Sequence, residues 1–539
     1  MLETKKPFAA GLVLALLAAA GCYNFDAVFD DCVKAGRCQP TDCDPAAVDP
    51  PDDLFHDANC DGVDGMPGDA LFVDPAAGQD SNPGTREAPL KHLSFALKLA
   101  ANQGKALYLA RGTYDEAELR MDKPVSLYGG YSGVDGNWKR GADHTTQIGG
   151  GGIGFTVSGL GDAGVVIEWV RIGSATSTVP GAPSIGLRVM DSSGVHLRHV
   201  QVEAGAGSAG LRGDSPGTNP QGGADGGVGQ SINDTSTTPA GGTRGVSSCG
   251  AGSYRGGKGG QGGTFDPPAT VGEAGEPSAS GGGAGTNAWK DCTVETTCEC
   301  IGVPGDDGQP GAAGTAGKEG TAGNGTGVLK DDTWVAESGT DGEPGTVGSG
   351  GGGGGGGGYC RAHGFTAESK GGGGGGGGAG GCPGLGAKGG QGGGASIAVL
   401  LIRGHVELES CTLKTTGGGQ GGPGGQGGPG SAGGQGGAGG QGLTSEKDSV
   451  NNNNQAMRVR STGGKGGKGG KGGDGGRGGH GGNGGGGPSV GVWCGSGSTL
   501  AQKGTFVTRG PAGKPGDGPG ATLHEVLQEA FYQCPPAAP

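Results

Sequence analysis

The sequence predicts an all-β chain, a solenoid of stacked coils interrupted by long glycine-rich insertions, for which packed threefold helices and plain disorder are the two readings. Three observations predict it. A pair of strand motifs with period-two alternation recurs along the chain. The glycine-rich stretches leave that repeat at the same point each time. Two of them, Gly417–Gly442 and Gly463–Gly487, read almost without interruption as Gly-Gly-X, the period of a left-handed helix with three residues per turn.

Composition agrees. The chain has 140 glycines and 31 prolines among 539 residues, and only 32% of it is hydrophobic. A core therefore forms only where apolar residues are concentrated. The formal charge of −14 argues against nucleic acid as a partner and serves solubility.

The N-terminus carries an address. Lys5 and Lys6 precede an apolar run from Phe8 to Ala20, too short for a stable span and of signal-peptide length. Its end, Leu17-Ala18-Ala19-Ala20-Gly21-Cys22, resembles the lipobox of bacterial lipoproteins, with Ala19 where leucine is usual. That resemblance implies a signal peptide over 1–21 and acyl chains on Cys22. Tyr23 after it implies the outer membrane, facing the periplasm or the cell surface, with the membrane as a partner through the lipid. An ordinary secretory signal with Cys22 in a disulfide is the competing reading.

Residues 22–70 form a Cys-, Asp- and Pro-rich anchor segment. Cys32, Cys38, Cys43 and Cys60 suit two disulfides in an exported chain; a zinc site is disfavoured because paired C-x-x-C spacing is missing. Asp57, Asn59 and Asp61, followed by Gly62 and Asp64, resemble the start of a calcium loop. Gly68 stands where the bidentate glutamate belongs, so a structural turn pinned by Cys60 competes with calcium, the one ion expected. This loop resembles the Asp/Asn/Cys-rich loops of secreted myxobacterial proteins.

The readable core spans 71–204. Leu93, Ala96, Leu97 and Ala100 fall on one helical face, and a strand follows over 106–110. The pattern from Asp80-Ser81-Asn82-Pro83-Gly84-Thr85 through Gly112-Thr113-Tyr114 to Leu127-Tyr128-Gly129-Gly130-Tyr131 resembles the cap and first coils of pectate-lyase-like, right-handed parallel β-helix proteins of the DUF1565-like kind. The resemblance covers residues 71 to about 140 and implies that fold.

Internal repeats stand independently of it. Val165, Ile167, Val170 and Ile172 recur as Val195, Leu197, Val200 and Val202, and again as Val406, Leu408, Cys411 and Leu413. A shorter alternating strand precedes each: Phe155 and Val157; Ile185, Leu187 and Val189; Ile397, Val399 and Leu401. Alternation buries one face, and the two-residue step inside each motif marks a corner. A weaker copy is Val490, Val492, Leu500 and Val507. No coil can bury its inner face alone, so the coils must stack.

The chain leaves this repeat after Ala204, Thr416 and Val507. The expected organisation is an insertion over 205–395, a coil over 396–416, the Gly-Gly-X insertion over 417–487, and a last coil and C-terminal cap over 488–539. The Gly-Gly-X runs, joined by Leu443–Thr462, suit an antiparallel pair of polyglycine-II-type helices, with Gly256–Gly263, Gly350–Gly358 and Gly371–Gly378 as further neighbours. They also resemble mycobacterial PGRS segments in composition. Gly305–Gly323 has glycine at every third position, like collagen. Thr522–Glu525 reads as a capping box opening a helix through Phe531.

No catalytic constellation emerges. His524-Glu525 lacks a second zincin histidine, and no serine elbow stands at a strand-to-helix junction. The first functional expectation is a lipid-anchored cell-surface structural, adhesion or display protein without catalysis. The alternative is a carbohydrate-binding or polysaccharide-cleaving β-helix, with Trp138, Trp169, Glu168 and Arg198 as the saccharide-contact candidates.

Overall fold

The computed structural model describes residues 44–535 apart from 118, 218–219, 250–251, 278 and 365. Cys22, Cys32, Cys38 and Cys43 lie outside them. The chain forms two compact units, the first built from the N-terminal residues through Tyr114 with Val125–Gln147 and Val166–Val170, the second from the remainder.

Unit 1 holds four parallel strands, β1 (Ala70–Val73), β2 (Ala106–Ala110), β5 (Leu127–Tyr131) and β8 (Val165–Glu168), adjacent in that order. The short strands β3 (Gly112–Asp115) and β6 (Thr146–Gly149) straddle its boundaries in sequence. Helix α1 (Leu93–Gln103) buries Leu93, Ala96, Leu97 and Ala100 and stops at Gly104, whose φ of 65° suits a residue without a Cβ. The aromatic core packs Phe72 edge-on to Trp138 at 4.7 Å and Tyr108 stacked on Tyr131 at 4.9 Å.

In unit 2, the short strands β4 (Arg120–Met121), β7 (Ile153–Gly161) and β9 (Arg171–Gly173) precede three sets of three strands. The first set is β10 (Ser184–Ser192), β11 (Val195–Arg198) and β12 (Gln201–Ala204). Within it each strand joins a different parallel sheet. Four pairs of short strands then decorate the glycine-rich region: β13 (Ser248–Cys249) with β14 (Gly252–Ser253), β15 (Ala288–Lys290) with β19 (Cys360–Ala362), β17 (Val328–Lys330) with β18 (Thr333–Val335), and β20 (Ala367–Ser369) with β19. Strand β16 (Thr297–Ile301) pairs with the hairpin β24 (Thr444–Val450) and β25 (Ala456–Thr462).

The second set is β21 (Ser396–Ile402), β22 (His405–Glu409) and β23 (Thr412–Thr415); the third is β26 (Ser489–Cys494), β27 (Thr499–Lys503) and β28 (Phe506–Arg509). The sets pair in strict register: Ile185 with Ile397 and then Val490, Val195 with Val406 and then Leu500, Val202 with Leu413 and then Val507. Strands separated by long glycine-rich stretches are thus direct neighbours. Leu187, Val189, Val195, Leu197, Val399, Leu401, Val406 and Leu413 are fully buried, each worth roughly 1.5–3 kcal/mol of transfer free energy. The corner residues His199 and Ser410 take φ of 52°, and the equivalent corner in the third set is Gly504.

The predicted C-terminal helix is corrected. Gln528–Tyr532 is a strand, β29, paired with β26 through Val490–Glu529 and Val492–Phe531. An open sheet edge supplies backbone partners that a lone ten-residue helix cannot match.

The glycine tracts of unit 2 bond to one another through their backbones. Gly466, Gly469 and Gly472 donate to Gly440, Gly437 and Gly434, so 417–442 and 463–487 run antiparallel. The all-glycine run Gly350–Gly358 explains its own composition. Gly351, Gly354 and Gly357 donate to Gly378, Gly375 and Gly372; Gly352, Gly355 and Gly358 donate to Gln309, Asp306 and Val303; Gly350, Gly353 and Gly356 donate to Glu276, Glu273 and Thr270. All three faces of this threefold segment meet another backbone. A Cβ on Gly354 would stand 2.2 Å from the Gly467 oxygen, and one on Gly353 2.1 Å from the Lys258 oxygen. Where one face reaches solvent, a side chain returns: Gln420, Gln426, Lys465, Lys468 and Lys471 are exposed. One X position turns inward instead. Asn483 is buried and its amide bonds Gly424, Gly518, Gly520 and Thr522.

Disulfides Cys249–Cys382, Cys292–Cys298, Cys300–Cys360 and Cys494–Cys534 staple unit 2. Cys60 is also disulfide-bonded.

Candidate functional site

The outward face of the sheet ordered β4-β7-β10-β21-β26 carries a cleft. Register stacks Arg120, Thr156, Arg188, Leu400 and Trp493 in one row across five strands. At a strand spacing of about 4.8 Å, the Arg120 and Arg188 backbones lie roughly 10 Å apart. A parallel row of Ile153, Ile185, Ile397 and Val490 lies beside it. The β17–β18 hairpin covers part of this apolar face, with Trp334 only 2% exposed against Ile185, Ile397 and Leu400. The uncovered part is a cleft of about 880 Å³, bounded by the hairpin and by the 175–183 loop.

Its electrostatics are lopsided. Asp332, the one carboxylate lining it among the described residues, is clamped by Arg403 at 2.6 and 2.8 Å, and the same guanidinium holds Asp191 at 2.7 and 3.0 Å. Arg403 keeps both carboxyls below their ordinary range. Arg188 reaches only Thr156 Oγ1, at 3.4 Å, and its buried Nε has no hydrogen-bond partner among the described residues. Burial, then the nearby charge of Arg120, lowers the Arg188 pKa against the opposing pull of Asp332. Neither arginine was singled out from the sequence. The available signal was Arg188 standing between the buried Leu187 and Val189 of β10.

The sequence-derived contact candidates in unit 1 are placed elsewhere. Glu168 is fully buried and accepts from Arg140 Nη2 at 3.0 Å, while Arg140 Nη1 reaches Asp64 at 2.9 Å. Trp138 is 1% exposed and donates its indole N–H to the Arg86 carbonyl. Both are core residues, with neither side chain reaching solvent. Trp169 is half-buried, occupies a corner at φ 53° and packs on Phe55 at 5.0 Å. In unit 2, Arg198 is half-buried on β11, opposite Glu409.

The calcium-loop oxygens are engaged locally. Asp57 accepts the Asp61 and Gly62 amides, Asn59 the Asp61 amide and Asp61 the Val63 amide, and Asp64 is held by Arg140. Among the described residues no group of three or more His, Cys, Asp or Glu side chains is arranged to hold a metal ion. No described helix is long and apolar enough to cross a membrane.

On the glycine array some exposed charges pair within a tract and others between tracts. Lys471 meets Asp474 at 2.9 Å, and Arg477 meets Glu319 at 2.7 Å. Asp474 and His480 also accept the Gly433 and Gly427 amides, so X side chains help tie adjacent tracts.

Residues 76–163 match the family model described as a protein of unknown function, DUF1565. No curated protein matches. Among solved structures the chain is similar to the GH136 lacto-N-biosidase from Eubacterium ramulus, in its selenomethionine form at 16% identity and TM-score 0.20 and in its native form at 17% and 0.18. Each match covers 25% of this chain and 27% of that enzyme's chain.

Proposed function

We propose that this chain is a non-catalytic, lipid-anchored cell-surface protein in which a right-handed parallel β-helix holds a rigid polyglycine-II-type slab for display or adhesion. The observation that carries this reading is the backbone-bonded glycine array. Ordering glycine costs more conformational entropy than ordering any other residue, and here Gly350–Gly358 has every amide bonded to another segment. A linker or spacer needs no such order. The three in-register strand sets support the β-helix because they clamp both ends of each glycine-rich excursion. The lipobox-like run ending at Cys22 supports the anchor. The alternative of a carbohydrate-active protein is weakened by the burial of Glu168 and Trp138.

Limited trypsin digestion of the folded chain tests the slab. Lys465, Lys468 and Lys471 are exposed side chains on an ordered backbone, so the expected result is resistance comparable to that of the strand sets. Rapid cleavage after these lysines would sink the reading. Radiolabelled palmitate incorporation, lost in Cys22→Ala, tests the anchor separately.

A further inference from the structure

We propose that the cleft on the outward β4-β7-β10-β21-β26 face binds an anionic amphiphile, a molecule with an aliphatic body and a carboxylate or phosphate head. The head lies against Arg120, Arg188 and Thr156, and the body along Ile153, Val179 and Ala182. Four observations lead there. The two arginines stack in one row with Thr156 between them. Asp332, the carboxylate near them, accepts its hydrogen bonds from Arg403 and acts on Arg188 only through space. The buried Nε of Arg188 has no hydrogen-bond partner among the described residues, and a guanidinium edge left so is suited to one oxygen of a two-oxygen acceptor. The remaining surface of the cleft is mainly apolar, and its volume of about 880 Å³ is that of a small-molecule site.

A neutral or acidic sugar fits less well. Trp334 is 2% exposed and has its indole against Gly327, so it offers no open ring face for a pyranose.

The test is calorimetric titration of the full chain with dodecanoate and with dodecyl phosphate, each below its micelle-forming concentration. Dodecyl maltoside and a uronate trisaccharide serve as comparisons. The expected result is binding of at least one dodecyl anion, which identifies the head, with no heat from either comparison compound. Arg120→Ala removes one exposed charge and weakens that binding by about tenfold, the scale of one charge-assisted contact. Val179→Glu, at a position 64% exposed and so safe for folding, weakens it by about the same factor. Equal affinity for dodecyl maltoside, preference for the uronate, indifference to both substitutions, or no binding of either anion would each overturn the proposal.

Discussion

Arg140 and Asp64 form an ion pair at 2.9 Å with side chains 0% and 2% exposed, and the other arm of the guanidinium holds the equally sealed Glu168. Three aromatic rings, those of Phe55, Tyr128 and Tyr131, stand within 5.3 to 5.7 Å of the same guanidinium. Two carboxylates from distant segments are thereby tied to the β5–β8 region of unit 1. The pairing also fixes the Asn59–Gly65 turn, because Tyr131 donates to the Asp64 carbonyl at 2.6 Å. Replacing Arg140 with methionine would strand both acids in the core and should cost about 3 kcal/mol or more in unfolding free energy.

The same pair sets a pH dependence. Burial pushes the Asp64 carboxyl up to about 6, against the pull of Arg140. The folded chain therefore binds more protons than the unfolded chain between the ordinary carboxyl range, near 4, and about 6. Stability from this group is greatest on the acid side, declines as pH rises toward 6, and is flat above. Asp64→Asn lacks the titration. The difference between wild-type and variant unfolding free energies, measured by urea titration, should slope from pH 4 to 6 and level off beyond. A difference independent of pH would refute the assignment.

Glycine at the centre of the backbone-bonded array is a steric requirement. A Cβ on Gly354 meets the Gly467 oxygen at 2.2 Å, and backbone on both sides leaves no side chain to yield. Gly354→Ala should therefore cost about 3 kcal/mol or more. Lys468→Ala, on an exposed face of the same array, should stay within about 0.5 kcal/mol. Thermal unfolding of the two variants decides it. Similar losses would mean that the tracts are not packed as described.

Much of this was legible in the sequence, for physical reasons. Period-two alternation reports a strand with one buried face, so the partners of Ile185, Val195 and Val202 could be read by superposing the repeats. The two-residue corner step was legible too, and the structure places His199 and Ser410 there in the left-handed region. Side-chain partners from outside the repeat were not legible. Glu168 looked like a saccharide contact because nothing local announces Arg140, and Trp138 looked like a sugar platform because its partner Arg86 is distant in sequence. The C-terminal segment showed a helical cap, yet the free edge of β26 decided its conformation. Arg120 sits on a two-residue strand with no repeat signal, so its row with Arg188 emerges only from register.

Arg403 pins the β17–β18 hairpin by bridging Asp332 to Asp191. All three side chains are about half exposed, so the bridge should matter locally more than globally. Arg403→Ala should leave the melting temperature nearly unchanged while hydrogen exchange accelerates over Val328–Val335. Both carboxyls are held below their ordinary range by Arg403. The bridge is therefore intact above about pH 4 and weakens as pH falls below. Exchange in the wild-type hairpin should rise in the same acid range, and an unchanged hairpin in Arg403→Ala would assign its order to Trp334 alone.

The last strand depends on a covalent tie. Strand β29 is an edge strand whose Phe531 and Tyr532 are only half buried, and its main aromatic contact is Tyr532 on Trp493, 4.6 Å between centroids. The Cys494–Cys534 disulfide closes a 40-residue loop across a Cα separation of 5.0 Å. By chain entropy a loop of that length is worth about 4 kcal/mol, more than so exposed a strand gains from its own burial. Cys534→Ser should therefore release β29 while the β21–β26 pairing persists. Two readouts separate local release from general destabilisation. Fast exchange confined to 528–532 would accompany a red shift in tryptophan emission, because Trp493, only 3% exposed, loses its cover. If exchange accelerates equally in β21 and β26, the disulfide instead supports the whole end of the strand stack.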